Sequence, residues 1–127
     1  MVDVRVEDRC FQPSSKSFRV MGILDLLRSL FSSRAKSLAR YKSGMFKASK
    51  GDYAGAIVDY TATLEAPGLA ADVKGMALYN RALAYSAIDE VEKGSADLTE
   101  IMKMPGLPEK IKTAASQRQE RLRRREV

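Results

Sequence analysis

A period of 38 residues constrains this chain more than any other feature. Asp59-Tyr60-Thr61 followed by Pro67-Gly68-Leu69 returns as Asp97-Leu98-Thr99 followed by Pro105-Gly106-Leu107, every position displaced by 38. The register extends outward from Leu64 to Met102, Val73 to Ile111, Lys74 to Lys112 and Ala77 to Ala115. One period further back, Phe31 falls opposite Leu69 and Leu107, and Ala35 opposite Val73 and Ile111. Two full units and a third half-unit result. A unit of this size cannot bury an apolar face alone, so it must stack on its neighbour.

Inside each unit the apolar spacing is helical. Leu38, Tyr41, Met45 and Ala48 recur at three and four, and after Gly51-Asp52 so do Tyr53, Ala56, Ile57, Tyr60 and Leu64. Gly51 suits the left-handed residue just past a helix end, and Pro67-Gly68 supplies a second stop. The second unit repeats the pattern: Leu78, Ala82 and Tyr85 precede the polar turn Asp89-Glu90, then Val91, Leu98, Ile101 and Met102 lead to Pro105-Gly106. A last helix is expected to open at Pro108 and run through Ile111 and Ala115 into an arginine-rich end. Phe31, Leu69 and Leu107 each precede a predicted helix start and could staple onto Ala35, Val73 and Ile111. The fold class is all-α: two helical hairpins and a C-terminal helix.

The first unit, through Gly44, Gly51-Asp52-Tyr53, Ala56-Ile57, Tyr60, Leu64 and Pro67, resembles a tetratricopeptide repeat (TPR). The second resembles it through Leu78-Tyr79-Asn80-Arg81-Ala82 and Tyr85, then Leu98, Ile101 and Pro105. Arg40 stands where the family has a large apolar residue, Gly94 opens the second helix of unit two, and the period is 38 rather than the family's ~34. The resemblance implies a right-handed α-α superhelix, a TPR-like solenoid at residues 34–127, with repeat 1 at about 35–68, repeat 2 at about 69–106 and a terminal helix at 107–125.

The resemblance also implies a concave groove floored by the first helix of each unit. Carried over, its peptide-binding positions are Leu38, Tyr41, Lys42 and Met45 in unit one, Met76, Tyr79, Asn80, Leu83 and Ser86 in unit two, and Gln117, Arg118 and Arg121 in the last helix. Tyrosine and methionine give adaptable apolar contact, and arginine can grip a carboxylate with two parallel hydrogen bonds. A short acidic or amphipathic peptide is the expected ligand. The two-carboxylate clamp of some relatives matches only at Asn80 and Arg118, with Tyr41, Met45 and Ala114 in its other positions, so chaperone tails are disfavoured. Against a ligand role, Asn80 could equally bond helix to helix, and tyrosines at helical spacing belong more often to a core.

Residues 1–20 hold Pro13-Ser14-Ser15, mixed charges and no sustained periodicity, and are expected to be disordered. Residues 21–33 read as a short amphipathic helix, with Ile23, Leu24, Leu26, Leu27, Leu30 and Phe31 interrupted by Asp25 and Arg28. A cap for the first repeat is the simplest use of it. The alternative function is an adaptor that meets a membrane surface through residues 22–34, or nucleic acid through the basic last helix.

Charge and chemistry narrow the rest. The 127 residues suffice for one ordinary domain, with 22 basic and 16 acidic residues and a net charge of +6. Residues 37–106 are nearly balanced and the excess sits in the two ends. No aromatic interleaves Arg121, Arg123, Arg124 and Arg125, which disfavours a single-strand nucleic-acid platform. There is no histidine and one cysteine, Cys10, so histidine-based nucleophile activation, imidazole-ligated metal and an internal disulfide are excluded. Asp59 and Asp97 could be imagined as acid and base, but the 38-residue period explains them without chemistry. The expectation is a non-enzymatic protein-binding module with no cofactor and no metal, cytoplasmic, whose partner is another protein or a second copy meeting an uncovered end.

Overall fold

A computed structural model describes residues 14–126. Five helices occupy them and no strand occurs among the described residues. They are α1 (Ser14–Ser49), α2 (Tyr53–Leu64), α3 (Ala71–Ala87), α4 (Val91–Lys103) and α5 (Glu109–Glu126). The described residues fall into two compact units, divided between Ser33 and Arg34.

In the first unit the structure corrects the sequence reading. Disorder to residue 20 and a separate capping helix at 21–33 were expected; residues 14–33 are instead the unbroken beginning of α1. Residues 1–13 lie outside the described residues. No proline follows Pro13 until Pro67, so nothing in this stretch removes a backbone donor from the helical ladder. Phe31 accordingly lies inside a helix, 78% exposed, and cannot staple a helix start. Ile23, Leu24, Leu26 and Leu27 are exposed as well.

Within residues 34–127 the sequence period is reproduced in three dimensions. Gly51 (φ 82°) and Asp89 (φ 63°) are left-handed, as are Gly68 (φ 68°) and Gly106 (φ 73°), and each pair is one period apart. The turn after α1 closes with Asp52 N–H donating to Lys47 C=O (2.9 Å) and Gly51 N–H to Ala48 C=O (3.0 Å). After α3 the equivalent groups do the same, Glu90 N–H to Tyr85 C=O (2.9 Å) and Asp89 N–H to Ser86 C=O (3.3 Å). Both are Schellman closures, which satisfy the orphan carbonyls of a helix end. Glycine reaches φ > 0 freely; at position 89 aspartate tolerates it because its short polar side chain is accepted in that region. The Asp52 carboxylate then caps α2 by accepting from Gly55 N–H at 2.9 Å. Pro108 sits one place outside the expected position: α5 begins at Glu109 and the Pro108 carbonyl accepts from Ile111 N–H at 2.9 Å.

Each hairpin is sealed by a small residue against a large one. Gly44 on α1 lies against the Tyr60 ring on α2, and Gly94 on α4 lies against the Ala82 carbonyl on α3. Since Gly44 and Ala82 are period-equivalent, as are Ala56 and Gly94, the glycine has changed helices while the close approach persists. Tyr41, Ala56, Tyr60 and Ala77 form one core; Leu78, Ala82, Leu98, Ile101, Leu107, Ala115 and Leu122 form the other. Burying a side chain such as Leu98 or Ile101, both fully buried, contributes about 1.5–3 kcal/mol. α3 packs on both α2 and α4, and α5 packs on α4.

Polar pairs follow the same period. Asp59 on α2 accepts from Ser43 Oγ (2.6 Å) and pairs with Lys47 Nζ (3.0 Å). One period on, Asp97 accepts from Arg81 Nε (2.7 Å) and Nη2 (2.6 Å) in a bidentate pair, Arg81 being the equivalent of Ser43. Arg81 Nη1 donates onward to Thr61 Oγ1 (3.1 Å), and its counterpart Gln119 donates to Thr99 Oγ1 (2.8 Å). Both carboxylates thus join neighbouring helices. At the position of Gly44 and Ala82, α5 carries Glu120, whose carboxylate is gripped by Arg123 (2.8 Å) and Arg124 (3.2 Å). A charged side chain there replaces the small residue that lets a second helix approach α1 and α3.

Candidate functional site

The first-type helices of the repeats, α1, α3 and α5, place side chains one period apart in register. A cavity of about 330 Å³ opens among them, lined by Tyr41 of α1, Met76, Tyr79 and Asn80 of α3, and Lys110, Ile111 and Ala114 of α5. Its floor is built by tertiary packing. Tyr41, 6% exposed, belongs to the core beside Tyr60, with ring centroids 5.9 Å apart. The Tyr41 hydroxyl accepts from Asn80 Nδ2 at 2.7 Å, so Asn80 bridges α3 to α1. Burial raises the Tyr41 hydroxyl pKa above the usual tyrosine value, while the Asn80 hydrogen bond works in the opposite direction. Tyr41 thus stays a neutral hydroxyl across the physiological range and offers no charge to a ligand.

The remaining lining is mostly apolar and accessible. Met76 is 43% exposed and can move to fit a guest side chain. Tyr79, Ile111 and Ala114 are half-buried, and Lys110 stands exposed at the rim. Such a hollow can take one apolar side chain and set a cation beside it.

Of the twelve residues expected to form the site, the cavity gathers Tyr41, Met76, Tyr79 and Asn80, while Ser86 is buried with its hydroxyl donating to the Ala82 carbonyl and Gln117 is exposed on α5. Leu38, Lys42 and Met45 are exposed along α1, and Leu83 is half-buried on α3, without lining the cavity. Arg118, one period beyond Asn80, is half-buried with a buried Nε that has no hydrogen-bond partner, and Arg121 is exposed. Arg121 instead lines a broad, open depression of about 810 Å³ along α5, with Ser95, Gln117, Arg123 and Arg124. That depression is larger, but its Arg123 and Arg124 are already engaged by Glu120 and its walls are polar. The smaller hollow is the better candidate because apolar walls from three helices converge there.

Lys110, Ile111 and Ala114 were missed as lining residues. The period held the signal, since Ala114 is the equivalent of Met76 and Ile111 of Val73. Lys110 carries no such mark; only its rim position distinguishes it from any other surface lysine. Among the described residues no cluster of acidic or cysteine side chains is arranged to hold a metal ion, and no helix is long and apolar enough to cross a membrane.

No protein-family model, curated protein or solved structure matches this chain.

Proposed function

We propose that residues 34–127 form a TPR-like right-handed superhelix that acts as a cytoplasmic adaptor without catalysis, holding a short acidic or amphipathic peptide against α1, α3 and α5. The observation that carries this reading is the hollow lined by Tyr41, Met76, Tyr79, Ile111 and Ala114 with Lys110 at its rim. The apolar walls would take a guest side chain, Met76 adapting to its shape, while Lys110, Lys42 and Arg118 favour carboxylates on either side of it. The period-equivalence of Leu38, Met76 and Ala114, and of Lys42, Asn80 and Arg118, supports a surface laid down in rows across three helices.

The test is selection of peptides from a random displayed library on the full chain, followed by fluorescence anisotropy of the enriched peptides. The expected result is a motif with one large apolar residue near acidic ones, whose affinity falls at least tenfold in Met76→Glu and in Lys110→Glu. Enrichment of no motif, or of one indifferent to both substitutions, would refute the proposal. Both side chains are exposed, so neither substitution disturbs the core.

A further inference from the structure

Helix α1 combines two properties that the peptide-binding reading leaves unused. Five large apolar side chains in nine residues stand in solvent: Ile23 (66% exposed), Leu24 (50%), Leu26 (62%), Leu27 (56%) and Phe31 (78%). At about 100° per residue they share one side of the helix, an arc of roughly 160° from Leu26 through Ile23, Leu27 and Phe31 to Leu24. Asp25, Ser29 and Ser32 occupy the opposite side and Arg28 the border of the arc beside Leu24, all four exposed too. The second property is charge. From Lys16 to Lys36 the sequence carries five lysines and arginines and a single acidic residue, Asp25, while farther along α1 Lys47 is already paired with Asp59.

We propose that the Ile23–Phe31 face of α1 docks onto an anionic lipid surface, lying in the plane of the headgroups. The charge selects this occupant from the others. A second copy of the same helix could cover the apolar side chains only by bringing two strongly cationic helices together, with one aspartate each to offset them. Nucleic acid would use the cations and leave the apolar side chains in water. An anionic bilayer uses both, burying Ile23, Leu27 and Phe31 at the acyl boundary while Arg28, at the border of the apolar arc beside Leu24, reaches phosphate and carboxylate headgroups. The face is about 12 Å long, far short of the ~30 Å hydrocarbon core, so it lies on the surface and does not span it.

The experiment is co-sedimentation of the full chain with vesicles of phosphatidylcholine alone and with vesicles in which about a third of the lipid is phosphatidylserine. The comparison is a Leu27→Gln/Phe31→Gln double variant, which keeps good helix formers and touches no core side chain, its helicity verified by circular dichroism. The expected result is binding to the anionic vesicles that weakens with added salt, and a partition coefficient about 100-fold lower for the double variant, since each lost apolar side chain removes roughly tenfold. Failure of the wild-type chain to bind anionic vesicles would overturn the proposal. So would binding that the double variant retains in full, which would mark a purely electrostatic contact, or a wild-type dimer in sedimentation velocity that the double variant dissociates, which would assign the face to a second copy.

Discussion

Replacing Gly44 by alanine tests the packing of the first hairpin, because the outcome depends on what stands at position 60. An ideal Cβ on Gly44 would lie 2.7 Å from Tyr60 Cε1, 2.8 Å from Cδ1 and 3.2 Å from Cζ. Ordinary carbon contacts begin near ~3.5 Å, so the ring must retreat by roughly 0.8 Å. It has little room to do so, being 1% exposed and packed with Tyr41, Ala56 and Ala77. Overpacking of this kind costs about 1–3 kcal/mol, and alanine's better helix propensity returns about 1 kcal/mol, leaving a net loss of about 1 kcal/mol. The second hairpin carries the alternative solution, with Ala82 at the equivalent of Gly44 and Leu98 at the equivalent of Tyr60, both fully buried. In a Tyr60→Leu background the obstructing ring is gone, and Gly44→Ala should then stabilise by about 1 kcal/mol, a change of sign and a coupling of about 2 kcal/mol. Urea unfolding of wild type, both single variants and the double variant, followed by circular dichroism, gives the cycle directly. If Gly44→Ala shifts the midpoint by the same amount in both backgrounds, or stabilises wild type, the reasoning from Tyr60 is wrong.

The same unfolding assay separates the two period-equivalent aspartates. Asp97→Asn leaves the half-buried Arg81 guanidinium without its bidentate partner and should cost about 3 kcal/mol, whereas Asp59→Asn, facing Ser43 and a well-exposed Lys47, should cost about 1 kcal/mol; equal losses would contradict the assignment. At the left-handed turn positions, Gly51→Ala should destabilise by about 1 kcal/mol while Asp89→Gly should leave stability unchanged or improve it, and a loss in the second variant would show that the Asp89 side chain contributes more than its strain costs. Burial pushes the Tyr60 hydroxyl up to about 12, with Tyr41 and Asp59 nearby adding to the shift. Because the folded value lies above the unfolded 10.0, this contribution to stability is fully present below pH 10 and is lost as pH rises through about 12. An ultraviolet titration should therefore show Tyr60 ionising late and Tyr60→Phe removing that step; five tyrosines ionising together in the folded chain would refute it.

The glycines and prolines at the turns, and the three-and-four spacing of the apolar residues between them, determine the helices of residues 34–127 from the sequence alone. These are local matters: a helix forms and stops according to residues within a turn or two of each other, and a left-handed closure needs a residue that tolerates φ > 0. The period also placed Asp59 and Asp97 as equivalents and matched Ala114 to Met76. It did not show that residues 14–33 continue unbroken into the first repeat helix, since the mixed polarity of residues 14–20 resembled disorder. Only the tertiary structure decided which polar groups meet. Asn80 and Tyr41 are 39 residues apart in sequence and 2.7 Å apart in space, and that bond gives Asn80 the helix-to-helix use that the sequence left level with a ligand role. Arg81 likewise could have faced solvent or a ligand, but the approach of α4 sets both oxygens of Asp97 before it. A repeating sequence fixes which residues are equivalent; the separation and rotation of neighbouring helices, set by side chains as small as Gly44 and Gly94, fix which of them touch.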